Sequence, residues 1–341
     1  MDEDQPTFAM PADPLIGRVL HDRYRIVKAL ASGGMGRVYL AEQLGLDRTV
    51  AIKVLAVDPT DVGRRFHDRF FREAKSVSRL THPNTVRIYD YGQTDDDVYY
   101  IAMEYLEGRT LGLILQEAPL DPLRAIAIAS QVCASLSEAH GLGLVHRDLK
   151  PANLIVTATS DRREFVRVVD FGIAKDTRTG DLPTQAGLVY GSPGYMSPEQ
   201  ILEQPITPRS DIYSLGAILY RMLTGTRPFG DASAAIDLAR HVVAKPMTFA
   251  AANPGVKVAA TLEWVTLQCL AKDPADRFGS AVALAEALKV CELELRGILA
   301  PVDLEPTLRN GSLVLPPPVE EQIRRYEGGA APGSASGAHP T

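Results

Sequence analysis

A carboxylate, an ammonium and an amide fall within six residues at Asp148, Lys150 and Asn153, inside the run His146-Arg147-Asp148-Leu149-Lys150-Pro151-Ala152-Asn153-Leu154. Together these groups can orient a hydroxyl, neutralise a phosphoryl group in motion and hold a hard cation. A second acidic site, Asp170-Phe171-Gly172, follows 22 residues after Asp148. A carboxylate at a strand end is well placed to coordinate a cation, while the aromatic and the glycine set the path of the next loop. Earlier in the chain, Ala31-Ser32-Gly33-Gly34-Met35-Gly36 lacks the side chains that would keep backbone N–H groups from approaching phosphates. It is not a Walker P-loop, because no Gly-Lys-Ser/Thr follows.

Such groups need elements to hold them. Tyr24 to Leu30 and Arg37 to Glu42 read as two strands flanking the glycine-rich turn, and Thr49 to Leu55 as a third that carries Lys53 in an apolar run. A lysine pointing inward there requires an anion. The helical stretch from Gly63 to Leu80 offers Glu73 in its middle, although Arg69, Arg72 and Lys75 nearby could make that carboxylate an ordinary surface partner. Val86 to Tyr91 and Val98 to Tyr105 complete a small antiparallel sheet, and Glu104 to Gly108 then changes direction. Pro122 to Gly141 is an almost wholly apolar helix, hence buried, that delivers the chain to His146. Leu154 to Val156 and Phe165 to Val169 are short strands, and Ile173 to Ser197 is a loop without periodicity.

The 341 residues suffice for a large core; 45% of them are hydrophobic and 23% charged, as in ordinary globular proteins. A net charge of −6 gives no general footprint for nucleic acid. Cys133, Cys269 and Cys291 are too few and scattered for a disulfide framework or a metal site, which fits a reducing compartment. No run of apolar residues reaches membrane-spanning length and the first residues lack a secretory pattern, so a cytoplasmic location without a membrane span is expected. Residues 1 to about 20 read as a weakly ordered lead-in. The Pro-, Gly- and Ala-rich residues 301 to 341 read as a disordered tail, in which Pro316 to Pro318 is read as a plain solvated segment in preference to a docking motif.

In order along the chain stand SGGMGRVY, VAIK, Glu73, HRDLKPAN, DFG, SPE, Asp211-Ile212-Tyr213-Ser214-Leu215-Gly216 and Arg277. With these the chain resembles the protein kinase superfamily, most closely the eukaryotic-like (Hanks-type) serine/threonine kinases of bacteria. The resemblance runs from about Tyr24 to about Val290, roughly four-fifths of the chain. It implies an α+β fold with two lobes: a small antiparallel sheet with one main helix (21 to 103), a hinge (104 to 108) and a larger, mostly helical lobe (109 to 300). It also implies a transferase that uses ATP and Mg²⁺ to phosphorylate Ser/Thr hydroxyls of protein substrates, with a transient homodimer serving trans-autophosphorylation. The rival from another class is a pseudokinase, a nucleotide-binding interaction module. Lys53, Glu73, Asp148, Asn153 and Asp170 are all present, whereas pseudokinases usually lack at least one.

Residue by residue, the resemblance implies that Lys53 holds the α- and β-phosphates and pairs with Glu73. Asp148 orients the acceptor hydroxyl, Lys150 stabilises the transferring group, and Asn153 with Asp170 binds Mg²⁺. Adenine is implied between Leu30, Val38 and Ala51 on one side and Ile155 on the other. Met103 stands behind it and the backbone from Glu104 to Leu106 lies along its edge. Ala31, Ser32, Gly33, Gly34, Met35, Gly36 and Arg37 cover the phosphates. His146, Phe171, Val77 and Ile88 are expected to pack, Asp211 to tie the catalytic loop to a core helix, and Glu199 to pair with Arg277. Arg147 beside Asp148 implies control by a loop phosphate, with Thr184 the first candidate and Thr177 and Thr179 behind it. Two positions depart from the family pattern. Ala31 replaces a glycine, at a cost of about 1–2 kcal/mol if an unusual backbone angle is needed. Ala152 stands where a glutamate supports arginine-directed specificity.

Overall fold

The computed structural model describes residues 13–33, 36–55, 64–158, 164–172, 193–304 and 308–327. The chain divides into two compact units, Met1–Gly108 with Gly172–Gly191 and Arg109–Phe171 with Ser192–Thr341.

The first unit is built on alternation. Strands β1 (Val19–Leu20), β2 (Tyr24–Gly33), β3 (Gly36–Gln43), β4 (Arg48–Leu55), β5 (Ile88–Gln93) and β6 (Tyr99–Glu104) form one sheet in the order β1-β2-β3-β4-β6-β5, every neighbouring pair antiparallel. Leu20, Tyr24, Ile26, Tyr39, Val50, Ile52 and Tyr100 close into one core cluster. Helix α1 (Arg64–Val77) buries Phe66, Phe70, Ala74 and Val77, a three- and four-residue spacing that makes a single apolar face. The Phe66 and Phe70 rings stand edge-on to Tyr99, with centroids 5.0 and 5.2 Å away.

The reading of residues 1 to 20 as weakly ordered is corrected from Asp13 onward. Gly17 N–H donates to the Ile26 carbonyl (2.8 Å) and Ile26 N–H to the Arg18 carbonyl (2.9 Å), so this segment runs along β2. Leu15 packs on the core cluster, whose member Leu20 is fully buried. A few apolar residues with sheet-edge partners offset the ordering entropy that the polar composition suggested would prevail.

The second unit combines a three-stranded sheet, β7 (Arg109–Thr110), β8 (Leu154–Ala158) and β9 (Glu164–Val168), with helices α2 (Leu111–Ile114), α3 (Pro122–Gly141), α4 (Pro198–Ile201), α5 (Pro208–Thr224), α6 (Ala234–Val243), α7 (Phe249–Ala252), α8 (Ala260–Cys269) and α9 (Ala281–Leu295). Helix α3 starts where Asp121 accepts from the amides of Leu123 and Arg124, with Pro122 in the first turn. Its Gln131 accepts from Val166 N–H at 2.9 Å, which fixes the edge of β9 against the helix. Helix α5 is buried along almost its whole length and ends at Gly225, whose positive φ of 80° suits a glycine C-cap. Gly216 lies so close to α8 that a Cβ would stand 2.4 Å from Cys269 Cβ.

The reading of residues 301 to 341 as disordered is also corrected over the described residues 301–304 and 308–327. Beyond α9 the chain forms a hairpin of β10 (Leu308–Arg309) and β11 (Ser312–Leu313), then helix α10 (Pro317–Glu327). Leu304 is buried, Thr261 Oγ donates to the Val302 carbonyl at 3.2 Å, and Gly279 N–H donates to the Gly311 carbonyl at 2.6 Å. Pro317 and Pro318 open a helix, where missing N–H groups cost nothing. Composition gave no hint of these contacts, because their partners lie far back in α8 and the turn at Gly279. Among the described residues no helix is long and apolar enough to cross a membrane.

Candidate active site

The run from His146 to Asn153 is held from beneath by one carboxylate. Asp211, in the first turn of α5 and 1% exposed, accepts from the backbone N–H of His146 (Oδ2, 2.8 Å) and of Arg147 (Oδ1, 3.0 Å), while His140 Nε2 lies 2.8 Å from Oδ2. Two backbone donors on one buried carboxylate pin the loop to a core helix, as the resemblance implies. From the other side Gln200 Nε2 donates to the Arg147 carbonyl at 2.8 Å. Gln200 is a contributor that sequence reasoning passed over. Its signal was present as the capping box Ser197-x-x-Gln200 at the start of α4.

Tension in this loop is local and lies beside the reactive groups. Arg147 and Asp170 both adopt positive φ, 64° and 59°, in spite of their side chains. Such conformations cost free energy and persist only where the surroundings over-determine them. Here Asp211 and Gln200 hold Arg147, and Val169 N–H donates to the Asn153 carbonyl at 2.9 Å just before Asp170.

The three chemical groups converge. Lys150 Nζ is 2.9 Å from Asp148 Oδ2, and the Asn153 amide NH₂ donates to the Asp148 carbonyl (2.8 Å) and to Oδ2 (3.3 Å). The Asp148 and Lys150 side chains are 10% and 19% exposed, sheltered yet reachable. With its NH₂ committed to Asp148, Asn153 has the amide oxygen left to offer a cation, and Asp170 supplies a carboxylate one residue past the Val169 link. These are hard oxygen donors, few in number. Among the described residues no group of three or more His, Cys, Asp or Glu could hold a metal alone. That donor set fits an ion of the Mg²⁺ type, which takes one or two carboxylates and completes its shell with water and phosphate.

His146 packs. It is fully buried, its ring centroid lies 4.6 Å from that of Phe171, and Nε2–H donates to the Val169 carbonyl at 3.0 Å. Nδ1 then accepts from the Asp148 N–H (3.2 Å), so both nitrogens are spent on loop geometry. Burial pushes the imidazole below its ordinary value even though Asp211 and Asp148 pull the other way.

In the first unit, sheet register aligns the implied nucleotide residues. Ala31 faces Val38 and Val38 faces Lys53, one row across β2, β3 and β4, while Ala51 faces Met103 of β6 two residues along β4 from Lys53. Leu30 sits at the register shift between Ala29 and Ala31, Ser32 faces Arg37, and Gly33 faces Gly36. Gly34 and Met35 lie outside the described residues. Ala31 is a paired strand residue without positive φ, so the expected conformational cost at this departure does not arise. Lys53 on β4 and Glu73 on α1 are both half-buried, Glu104 ends β6, and Leu106 follows it. Ile155 belongs to the second unit, on β8 opposite Arg167 and Thr110. Val77 is buried on α1, and Ile88 opens β5. Thr177, Thr179 and Thr184 lie outside the described residues.

The expected pair of Glu199 and Arg277 is formed, bidentate at 2.7 and 2.8 Å and almost fully buried. Sheet, helices and this catalytic loop define the protein kinase fold. The chain belongs to the protein kinase domain family, whose model matches residues 24–289. Within that family it falls among the bacterial serine/threonine kinases. It is 42% identical to serine/threonine-protein kinase pkn3 of Myxococcus xanthus over 83% of this chain and 52% of the relative. It is 41% identical to PrkC of Bacillus subtilis over 81% of this chain and 41% of the relative. The chain thus spans about half or less of the length of these curated relatives. The solved kinase domain of Mycobacterium tuberculosis PknI matches with a TM-score of 0.62 at 29% identity, covering 81% of this chain and 97% of that domain.

Proposed function

We propose that this chain transfers the γ-phosphoryl group of ATP to Ser or Thr hydroxyls of protein substrates, with Mg²⁺ as the metal. The observation that carries the reading is the cluster of Asp148, Lys150 and Asn153 on a loop pinned by Asp211. In it Asp148 accepts the hydrogen bond of the acceptor hydroxyl and takes its proton as the bond to phosphorus forms. Lys150, already against Asp148, follows the negative charge on the transferring oxygens. Lys53 and Glu73 would together orient the α- and β-phosphates, and Asn153 and Asp170 would hold the cation. When bound, Mg²⁺ would supply positive charge against the phosphate oxygens.

Regulation belongs to the same reading. Arg147 Nε is buried without a hydrogen-bond partner among the described residues, which supports a role in receiving a phosphate added to the loop at Thr184, Thr177 or Thr179. A transient homodimer would let one copy phosphorylate another. The buried free thiols of Cys133, Cys269 and Cys291 support a cytoplasmic, reducing location.

The test is incubation of the full chain with labelled ATP and Mg²⁺ on generic protein substrates, beside Asp148→Asn. Label in the wild type and its loss in the variant, with nucleotide binding retained, is the expected result. Equal label in both would remove Asp148 from the chemistry, and nucleotide binding without any label would favour the pseudokinase. Phosphopeptide maps that do not change in Thr184→Ala would refute the loop assignment.

A further inference from the structure

The kinase mechanism uses nothing before Tyr24, yet the segment before it places an anion, Asp13, on the glycine-rich hairpin. Asp13 divides its carboxylate between two tasks. Oδ1 accepts from its own turn, the Leu15 N–H at 3.1 Å. Oδ2 accepts from Arg37 Nη1 and from the Tyr39 hydroxyl, both at 2.9 Å. The two partners are alternate residues of β3, immediately after the hairpin rung formed by Gly33 and Gly36.

Each end of this contact is anchored differently. On the Asp13 side, Ile16 N–H closes a turn on the Asp13 carbonyl (3.1 Å), Leu15 packs on the core cluster, and Gly17 and Arg18 bond to Ile26 of β2. Arg18 also pairs with Asp96 in the connection between β5 and β6. Tyr39 is fully buried in the core, whereas the Arg37 side chain is 54% exposed and next to Gly36, whose φ is +128°. The contact therefore joins a fixed turn to the start of β3, where Arg37 stands largely exposed one residue past the hairpin rung and Tyr39 is anchored in the core. The hairpin's backbone N–H groups gain as phosphate ligands if their positions are settled before ATP arrives, because less freedom is then lost on binding.

We infer that Asp13 is a positioning residue for nucleotide binding: through Arg37 and Tyr39 it holds the β3 side of the glycine-rich hairpin in its phosphate-receiving conformation. The inference rests on the ATP reading above. The Leu15 amide first, then the bonds from Tyr39 and Arg37, keep the Asp13 carboxyl below its usual range, so the anion persists through neutral and mildly acidic assays.

The test uses the full chain as Asp13→Asn and Asp13→Glu. Three measurements are made: amide exchange of residues 29–33 and 36–40 without nucleotide, affinity for a fluorescent ATP analogue with Mg²⁺, and kcat against KM for ATP. Asp13→Asn is expected to speed hairpin exchange and to raise the analogue's Kd and the KM by about three- to tenfold, the scale of one weakened charge-assisted contact. In that variant kcat should stay within about twofold. Asp13→Glu, which keeps the charge, should recover most of the affinity. Unchanged hairpin exchange overturns the latch whatever the nucleotide does. Faster exchange with an unchanged Kd, or a fall in thermal stability alone, reduces Asp13 to a structural role and overturns the inference. A wild type that exchanges as described but binds no analogue overturns the ATP reading instead, and the positioning role with it.

Discussion

Replacing Arg277 by methionine removes a buried side chain that bonds through every donor it has. Arg277 is fully buried and spends all five of its N–H donors. Two reach Glu199 (2.7 and 2.8 Å), and the others reach the carbonyls of Arg209 (2.9 Å), Ala271 (2.8 Å) and Lys272 (3.0 Å), with the guanidinium carbon 4.8 Å from the Tyr213 ring centroid. Arg277→Met retains the packing volume but leaves the Glu199 carboxylate, 2% exposed, with the Ser210 hydroxyl as its remaining side-chain donor in that network. Breaking a buried pair from one side costs about 3–5 kcal/mol. For a unit of this size that corresponds to a fall in Tm of about 6–20 °C.

The pH dependence sharpens the same test. Burial alone would raise the Glu199 carboxyl, but the bonds from Arg277 and Ser210 overcome it and hold the group below its ordinary value of 4.5. In the wild type this contribution is complete above that value and is lost as the pH falls through the lower folded value. In Arg277→Met burial prevails, the folded value rises above the unfolded one, and protonation relieves the variant. The difference in Tm between the two proteins should therefore be widest near pH 7 and narrow toward pH 4. Calorimetry of the wild type, Arg277→Met and the double variant Arg277→Met with Glu199→Leu decides the matter. The double variant should recover most of the loss, since an apolar pair is tolerated where half an ion pair is not. A single variant within 1 kcal/mol of the wild type, or a double variant no better than the single, would refute the reasoning.

Two further outcomes are expected. His241 is held near a pKa of about 3, first by burial and then by the Lys272 charge, and burial also lowers His146. The stability linked to the neutral His241 imidazole is complete above about pH 6.5 and drains as the pH falls toward 3, because the unfolded chain takes up the proton first, and His146 acts in the same direction. Denaturant melts of the wild type between pH 7.5 and 5 should show this loss, and His241→Gln should reduce its slope; an unchanged slope would remove His241 from the account. Gly311 has φ +79°, and a Cβ there would stand 2.6 Å from Gly279 N. Gly311→Val should therefore release the hairpin of β10 and β11, read as faster proteolysis between residues 304 and 317, with a loss of about 1–3 kcal/mol.

What could be read from the chain alone was whatever is local or periodic. The order of chemical groups from Asp148 to Asn153, the alternation of β4 around Lys53, the apolar length of α3 with its Asp121 and Pro122 start, and the acidic strand end at Asp170 are carried by neighbours in sequence. Short-range sterics and hydrogen bonding act on them directly. The pairing of Glu199 with Arg277 was legible too, though only through resemblance to a family. Tertiary structure alone decided the rest. It brought Gln200 to the catalytic loop, made Ala31 an ordinary strand residue, and gave partners to the described parts of the segments expected to be loose at either end. Asp13 reaches Arg37 and Tyr39, and Gly311 reaches Gly279, across separations for which composition has no term. Such contacts form only after the sheet and helices have offset the entropy of bringing distant segments together.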